Sequence, residues 1–158
     1  MQPARVTSVN QFFKKNARRW INWWPPLLGA GIRVTRFDED WRVVDVEIPL
    51  RWWNRNYVGT QYGGSLYSMT DPFYMVMLIK NLGSGYVVWD KSATIRFRKP
   101  GRGKVRAEFR LTEEAVAEIR AAVDSQGKME QEFAVNVTDE SGEVVAEVTK
   151  LLHIRKKA

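Results

Sequence analysis

The sequence predicts one α+β domain in which a largely antiparallel sheet surrounds a single long helix. Three observations carry this. Strand-like segments outnumber helical ones, and most neighbouring strands are joined by turns that suit hairpins. One helical stretch, after Gly63-Gly64, is apolar on most sides and needs burial nearly all round. At 158 residues and 44% hydrophobic, the chain is long and apolar enough for one core.

The elements follow in order. Ser8-Val9-Asn10-Gln11 is a capping box. Behind it Val9, Phe12, Phe13, Ala17, Trp20 and Ile21 fall at helical spacing, and Pro25-Pro26 ends that helix. Residues 1–28 thus read as an amphipathic helix and a Trp/Pro segment packed on the domain. Val34–Phe37 and Val43–Ile48 are strand-like, with Asp38-Glu39-Asp40 as the turn. The central helix starts at Gly63-Gly64 and ends near Asn81-Leu82-Gly83. Residues 86–98 form a strand rich in Val, Ile, Thr and aromatics. Val105, Ala107, Phe109 and Leu111 alternate with charged residues. Thr112 caps a short helix whose first turn holds Glu113 and Glu114. Strands at 128–138 and 143–154 close the chain around Asp139-Glu140-Ser141-Gly142.

Composition removes several chemistries. With no cysteine there is no disulfide, thiolate metal site or cysteine nucleophile. The single histidine, His153, reads as a surface or edge residue and cannot build a multi-histidine site, so no metal or other cofactor is expected. No apolar run reaches transmembrane length, and no secretory pattern opens the chain. A cytoplasmic location is the expectation.

The net charge of +7 is local. Residues 1–37 hold Arg5, Lys14, Lys15, Arg18, Arg19, Arg33 and Arg36 and no acid; the remaining 18 bases balance 18 acids. This segment could meet anionic lipid, the phosphates of a small ligand or nucleic acid. The favoured reading is a solvated face. No nucleic-acid motif is present and no nucleic-acid partner is expected; membrane contact is possible but not favoured. Trp20, Trp23, Trp24, Trp52 and Trp53 either line an apolar ligand pocket or seal the first helix onto the sheet, and the second is preferred. Tyr67, Phe73, Tyr74 and Met75 read as core first.

The chemistry concentrates in N-Y-V-G-T-Q-Y-G-G-S-L-Y-S-M-T-D-P, residues 56–72. Backbone N–H groups at a glycine-rich helix start can stabilise an oxyanion. Asp71 is a lone acid in an apolar helix and a candidate base or nucleophile. Pro72 beside it kinks the helix. Gly63 and Asp71 lie about 12 Å apart along a helix. One site using both needs a second copy of the chain, antiparallel to the first.

The spacing Asn56…Gly59-Thr60-x-Tyr62-Gly63-Gly64-x6-Asp71 resembles the loop and central helix of the hotdog-fold acyl-CoA thioesterases. Residues 89–100 resemble the long strand that follows that helix. The chain is most similar to the hotdog group known as domain of unknown function 4442. The resemblance implies a hotdog fold, with about six strands wrapped around one long helix, in a homodimer or a tetramer of two dimers. It implies hydrolysis of an acyl-CoA or related thioester at the dimer interface. Asp71 would be general base or nucleophile, Gly63 N–H would polarise the carbonyl, and Asn56 would help place water or carbonyl. Tyr62, where the family has histidine, would contact substrate together with Gly64, Thr60 and Ser68, and a strand residue among Asp90 to Ser92 would place water. Tyr62 keeps open a non-catalytic acyl-CoA-binding reading, since a phenol does not titrate near neutrality.

Overall fold

The computed structural model describes residues 19–157. The Ser8 capping box and most of the first helix lie outside them. Residues 19–22 are helical. Pro25-Pro26 does more than end that helix. It opens the next one, α1 (Pro25–Ala30), where a missing N–H is harmless. Gly31, at φ 76°, closes α1 by donating to Leu27 and Leu28 carbonyls.

The sheet has six strands, β1 (Arg33–Phe37), β2 (Val43–Ile48), β3 (Tyr86–Phe97), β4 (Val105–Arg110), β5 (Lys128–Asp139) and β6 (Val144–Lys156). Their order is β1-β2-β4-β5-β6-β3, with every pairing antiparallel. The alternation in β2 and β4 is expressed directly: Val44, Val46 and Ile48 are buried opposite Phe109, Ala107 and Val105. Residues Asp45, Glu47, Arg106 and Glu108 take the other face.

The central helix expected from Gly63 is present as two segments, α2 (Gly63–Ser68) and α3 (Phe73–Leu82). Between them the hydrogen bonds tighten. Thr70 N donates to Tyr67 O (2.8 Å) and Asp71 N to Ser68 O (3.3 Å), both three residues back. Pro72, lacking an N–H, cannot continue the ladder, and regular bonding resumes when Val76 N donates to Pro72 O (3.0 Å). Such an interruption costs about 3 kcal/mol in a helix. Leu66, Met69, Phe73, Met77, Leu78 and Leu82 are buried along the two segments. Each contributes about 1.5–3 kcal/mol, so packing outweighs the break. The six strands wrapped around this helix are the hotdog arrangement.

The helix after Thr112 is longer than expected. It is α4 (Glu113–Gln126), 14 residues, because Val116, Ile119 and Val123 give it a continuous buried face. Thr112 caps it by accepting from Ala115 N (3.1 Å). Arg120 closes the end of α3 by donating to Asn81 and Leu82 carbonyls at 2.8 and 3.0 Å.

Candidate active site

The loop before α2 is braced by its own side chains. Asn56 Oδ1 accepts from Val58 N (3.1 Å) and Thr60 N (2.9 Å), while Nδ2 donates to Thr60 Oγ1 (2.9 Å) and Gln61 O (3.3 Å). Asn56 and buried Thr60 therefore frame the loop, and their polar atoms are committed there rather than to a ligand. Gln61, passed over in the sequence, fastens the loop to the sheet. Its Nε2 donates to Ile48 O (3.0 Å) and Gly103 O (2.9 Å).

Tyr62 is exposed, and its carbonyl accepts from Ser65 N and Leu66 N. The N–H groups of Gly63 and Gly64 make no hydrogen bond among the described residues. At both glycines an aromatic ring would have to shift to admit a Cβ. A Cβ on Gly63 would sit 3.0 Å from the Phe97 ring, and one on Gly64 would sit 2.5 Å from the Tyr62 ring. Ser68 Oγ donates back to Gly64 O (2.8 Å), so its proton serves the helix.

Asp71 sits at the break and is half exposed. Its Oδ1 accepts from Tyr67 O–H (3.0 Å) and from Lys150 Nζ (3.2 Å). Lys150 also donates to the Asp71 main-chain carbonyl. Asp71 Oδ2 has no hydrogen-bond donor among the described residues. Desolvation, then the hydrogen bond to Asp71, pushes the Tyr67 hydroxyl up to about 12, so it remains a donor.

Lys150 has no solvent exposure. Its second carboxylate is Asp90, 3.1 Å from Nζ to Oδ1, an ion pair whose approach is off the hydrogen-bonding direction. Burial raises the Asp90 carboxyl above its usual range, the Asp71 charge adds to that, and Lys150 opposes both. Asp71 and Asp90 thus share one sealed ammonium.

Strand register explains why Asp90 joins this cluster and Ser92 does not. Asp90 pairs with Leu152 on the inner face, next to Val88 opposite Ile154. A bulge at Lys91 then shifts the register, so that Ser92 faces Leu151 while Ala93 pairs with Lys150. Ser92 therefore lies on the opposite sheet face from Asp90 and Lys150, against the expectation that it borders the site. Neither Lys150 nor Tyr67 was read as a site residue. The signal for Lys150 was its parity, since Val148, Lys150, Leu152 and Ile154 alternate as an inward set.

The glycine loop and the acid stay separate within one chain. The side-chain partners of Asp71 lie on α2 and β6, and none belongs to residues 56–64. Beside the loop runs an open groove of about 450 Å³, lined by Asn56, Thr60, Gly63, Leu66, Phe97 and Arg98 among others. Behind Pro72 lies a more enclosed, wholly apolar cavity of about 150 Å³, lined by residues including Ile21, Trp24, Phe37, Trp41, Phe73 and Met77. Trp24 alone of the five singled-out tryptophans lines it. All five are exposed, and most of the first helix that they would seal lies outside the described residues.

Solved structures share this architecture. A Pseudomonas aeruginosa protein of unknown function, described as a probable thioesterase, is 25% identical over 96% of both chains, with a TM-score of 0.76. A Haemophilus influenzae thioesterase has the same fold at 14% identity, covering 90% of each chain, with a TM-score of 0.65. So does an E. coli protein from the phenylacetic acid degradation operon, at 17% identity over 91% of this chain and 92% of that one, with a TM-score of 0.61. No curated protein matches the chain significantly. The model of one family, described as a domain of unknown function (DUF4442), matches residues 13–154, and the chain belongs to that family.

Proposed function

We propose that the chain hydrolyses a thioester of the acyl-CoA type as a homo-oligomer, with Asp71 of one protomer acting beside the partner subunit's Gly63. The observation that supports this most is the state of Asp71. Tyr67 and Lys150 hold Oδ1, and Oδ2 is left with no donor on a half-exposed carboxylate. The likeness to a protein described as a probable thioesterase points the same way.

In this reading Asp71 Oδ2 takes a proton from water as the water oxygen bonds to the thioester carbonyl carbon. The carbonyl electron pair moves onto its oxygen, and the glycine N–H stabilises that charge. Collapse of the adduct breaks the carbon–sulfur bond, and the proton held by Asp71 passes to the departing thiolate. The products are a carboxylic acid and a free thiol. Exposed Tyr62, just before the glycine pair, contributes a hydroxyl donor to the substrate. Asn56 and Thr60 hold the loop in shape. The scheme draws on no metal or redox group.

A panel of acyl-CoAs, assayed with wild type and Asp71→Asn, tests the reading. Turnover by the wild type and a loss of about 10²-fold or more in kcat in the variant are expected. Binding without turnover across the panel would replace hydrolysis with acyl-CoA binding. A strictly monomeric protein in light scattering would remove the shared site.

A further inference from the structure

Two segments with no acid come together at one end of the molecule. No aspartate or glutamate occurs in residues 19–37 or 49–70. Asn54 joins the two. Its Nδ2 donates to Ala30 O (3.4 Å) and Pro49 O (3.0 Å), and its Oδ1 accepts from Arg51 N (2.7 Å). The Trp53 ring lies 3.0 Å from where a Cβ on Gly31 would sit. The turn carrying Trp52 and Trp53 is thereby fastened to the C-terminal end of α1.

The opposite end of α1 begins at Trp24, about 9 Å away for a six-residue helix. Along this span Trp23, Trp24, Leu28, Trp52 and Trp53 expose between 45% and 80% of their surface. Folded chains seldom leave so large an apolar group uncovered without a partner for it. Arg19, Arg51 and Arg55 are exposed in the same two segments. None of the three forms an ion pair among the described residues.

Chemistry selects the occupant. Tryptophan settles at the headgroup level of a bilayer, where its ring is half in hydrocarbon and its N–H is wet. Arginine beside it is drawn to anionic headgroups. A second copy meeting this face about a two-fold axis would set its cations against their own counterparts. Nucleic acid binding draws its strength from neutralising many phosphates, which three arginines supply poorly. Among the described residues no helix is long and apolar enough to cross a membrane, so the contact is peripheral.

We propose that Trp23, Trp24, Leu28, Trp52 and Trp53, bordered by Arg19, Arg51 and Arg55, form a docking surface for an anionic lipid membrane. The inference stands whether or not the chain is a hydrolase.

Co-sedimentation of the full chain with phosphatidylcholine vesicles, with and without phosphatidylglycerol, tests it. Retention on the phosphatidylglycerol vesicles is expected, weakening with salt and accompanied by a blue shift of tryptophan fluorescence. Arg51→Gln and Arg55→Gln should each weaken partitioning roughly five-fold. The double variant Trp23→Ser/Trp52→Ser should lose at least about ten-fold, with the circular dichroism spectrum kept, since both side chains are exposed. Absence of retention on anionic vesicles overturns the proposal. So does retention unchanged in all these variants, which would move docking to other residues. A vesicle-free change in molar mass caused by Trp52→Ser would identify a second copy as the occupant instead. Retention of an oligonucleotide but not of vesicles would replace lipid with nucleic acid.

Discussion

Lys150 grips Asp71 twice: its sealed ammonium donates to the Asp71 main-chain carbonyl and lies 3.2 Å from the carboxylate Oδ1. The helix break therefore has a clamp reaching across from β6. Lys150→Ala, which leaves the partly buried Asp90, with its Oδ1 inaccessible, unpaired, should destabilise the fold by about 3–5 kcal/mol in urea titration at neutral pH. Lys150→Met combined with Asp90→Asn should recover most of that loss. A cost under about 1 kcal/mol for Lys150→Ala would show that the clamp is dispensable to the fold.

Tyr67→Phe removes the hydroxyl that donates to Asp71 Oδ1 and keeps the ring. A hydrogen bond to a charged group is worth about 1.5–3 kcal/mol, so kcat on a responsive acyl-CoA should fall about ten-fold or more. The KM should change little, because the bond orients the acid rather than the substrate. With the Tyr67 hydroxyl held at about 12, the wild-type rate should show no inflection from this tyrosine near pH 10, roughly where tyrosines otherwise ionise.

Asp90 sets a pH dependence of stability. Its folded carboxyl is raised above the ordinary value of 3.8, chiefly by burial. The folded state therefore holds this proton more tightly than the unfolded chain does. The contribution is fully present below pH 3.8 and is lost as pH rises through the higher folded value. Asp90→Asn cannot lose it. Unfolding free energies measured across the acid range should thus improve in the variant relative to wild type as pH rises above 3.8. A constant difference between the two proteins across that range would contradict this.

Two glycines of α1 and its cap should respond in opposite ways. At Gly31, φ is +76° and a new Cβ would meet Asn54 Nδ2 at 2.6 Å. Gly31→Ala should cost about 1–3 kcal/mol through backbone strain and displacement of Asn54. At Gly29 a Cβ meets nothing within 4 Å. Gly29→Ala should stabilise by about 0.5–1 kcal/mol. Thermal melts of the two variants check the contrast.

Much of the fold was legible because its alternation is clean. Val44, Val46 and Ile48 declare an inner face, and Thr112 with Glu113 and Glu114 declares a helix start. Asp71-Pro72 announced a disturbed helix, and the disturbance is there. The partners of Asp71 were harder to read. Lys150 occupies a parity position that its neighbours mark as inward, yet a lysine in a strand normally reads as solvated. Asp90 and Ser92 share a parity in the sequence and face opposite ways, because the bulge at Lys91 has no one-letter signature. Asn56 and Thr60 were expected to touch substrate. Loop residues that bind each other have the same composition as loop residues that bind ligands, and only the hydrogen bonds tell them apart.

The ammonium inside the sheet also bears on how the chain finds its pairing. If β6 slid by one residue against β3 and β5, Leu151 would take the inner position and Lys150 would turn outward, away from both aspartates. An aliphatic residue at position 150 would tolerate neighbouring alignments of two branched strands almost equally. A lysine that is satisfied in only one alignment acts as a registration mark, making the correct pairing of the longest strands the one that also finishes the helix break.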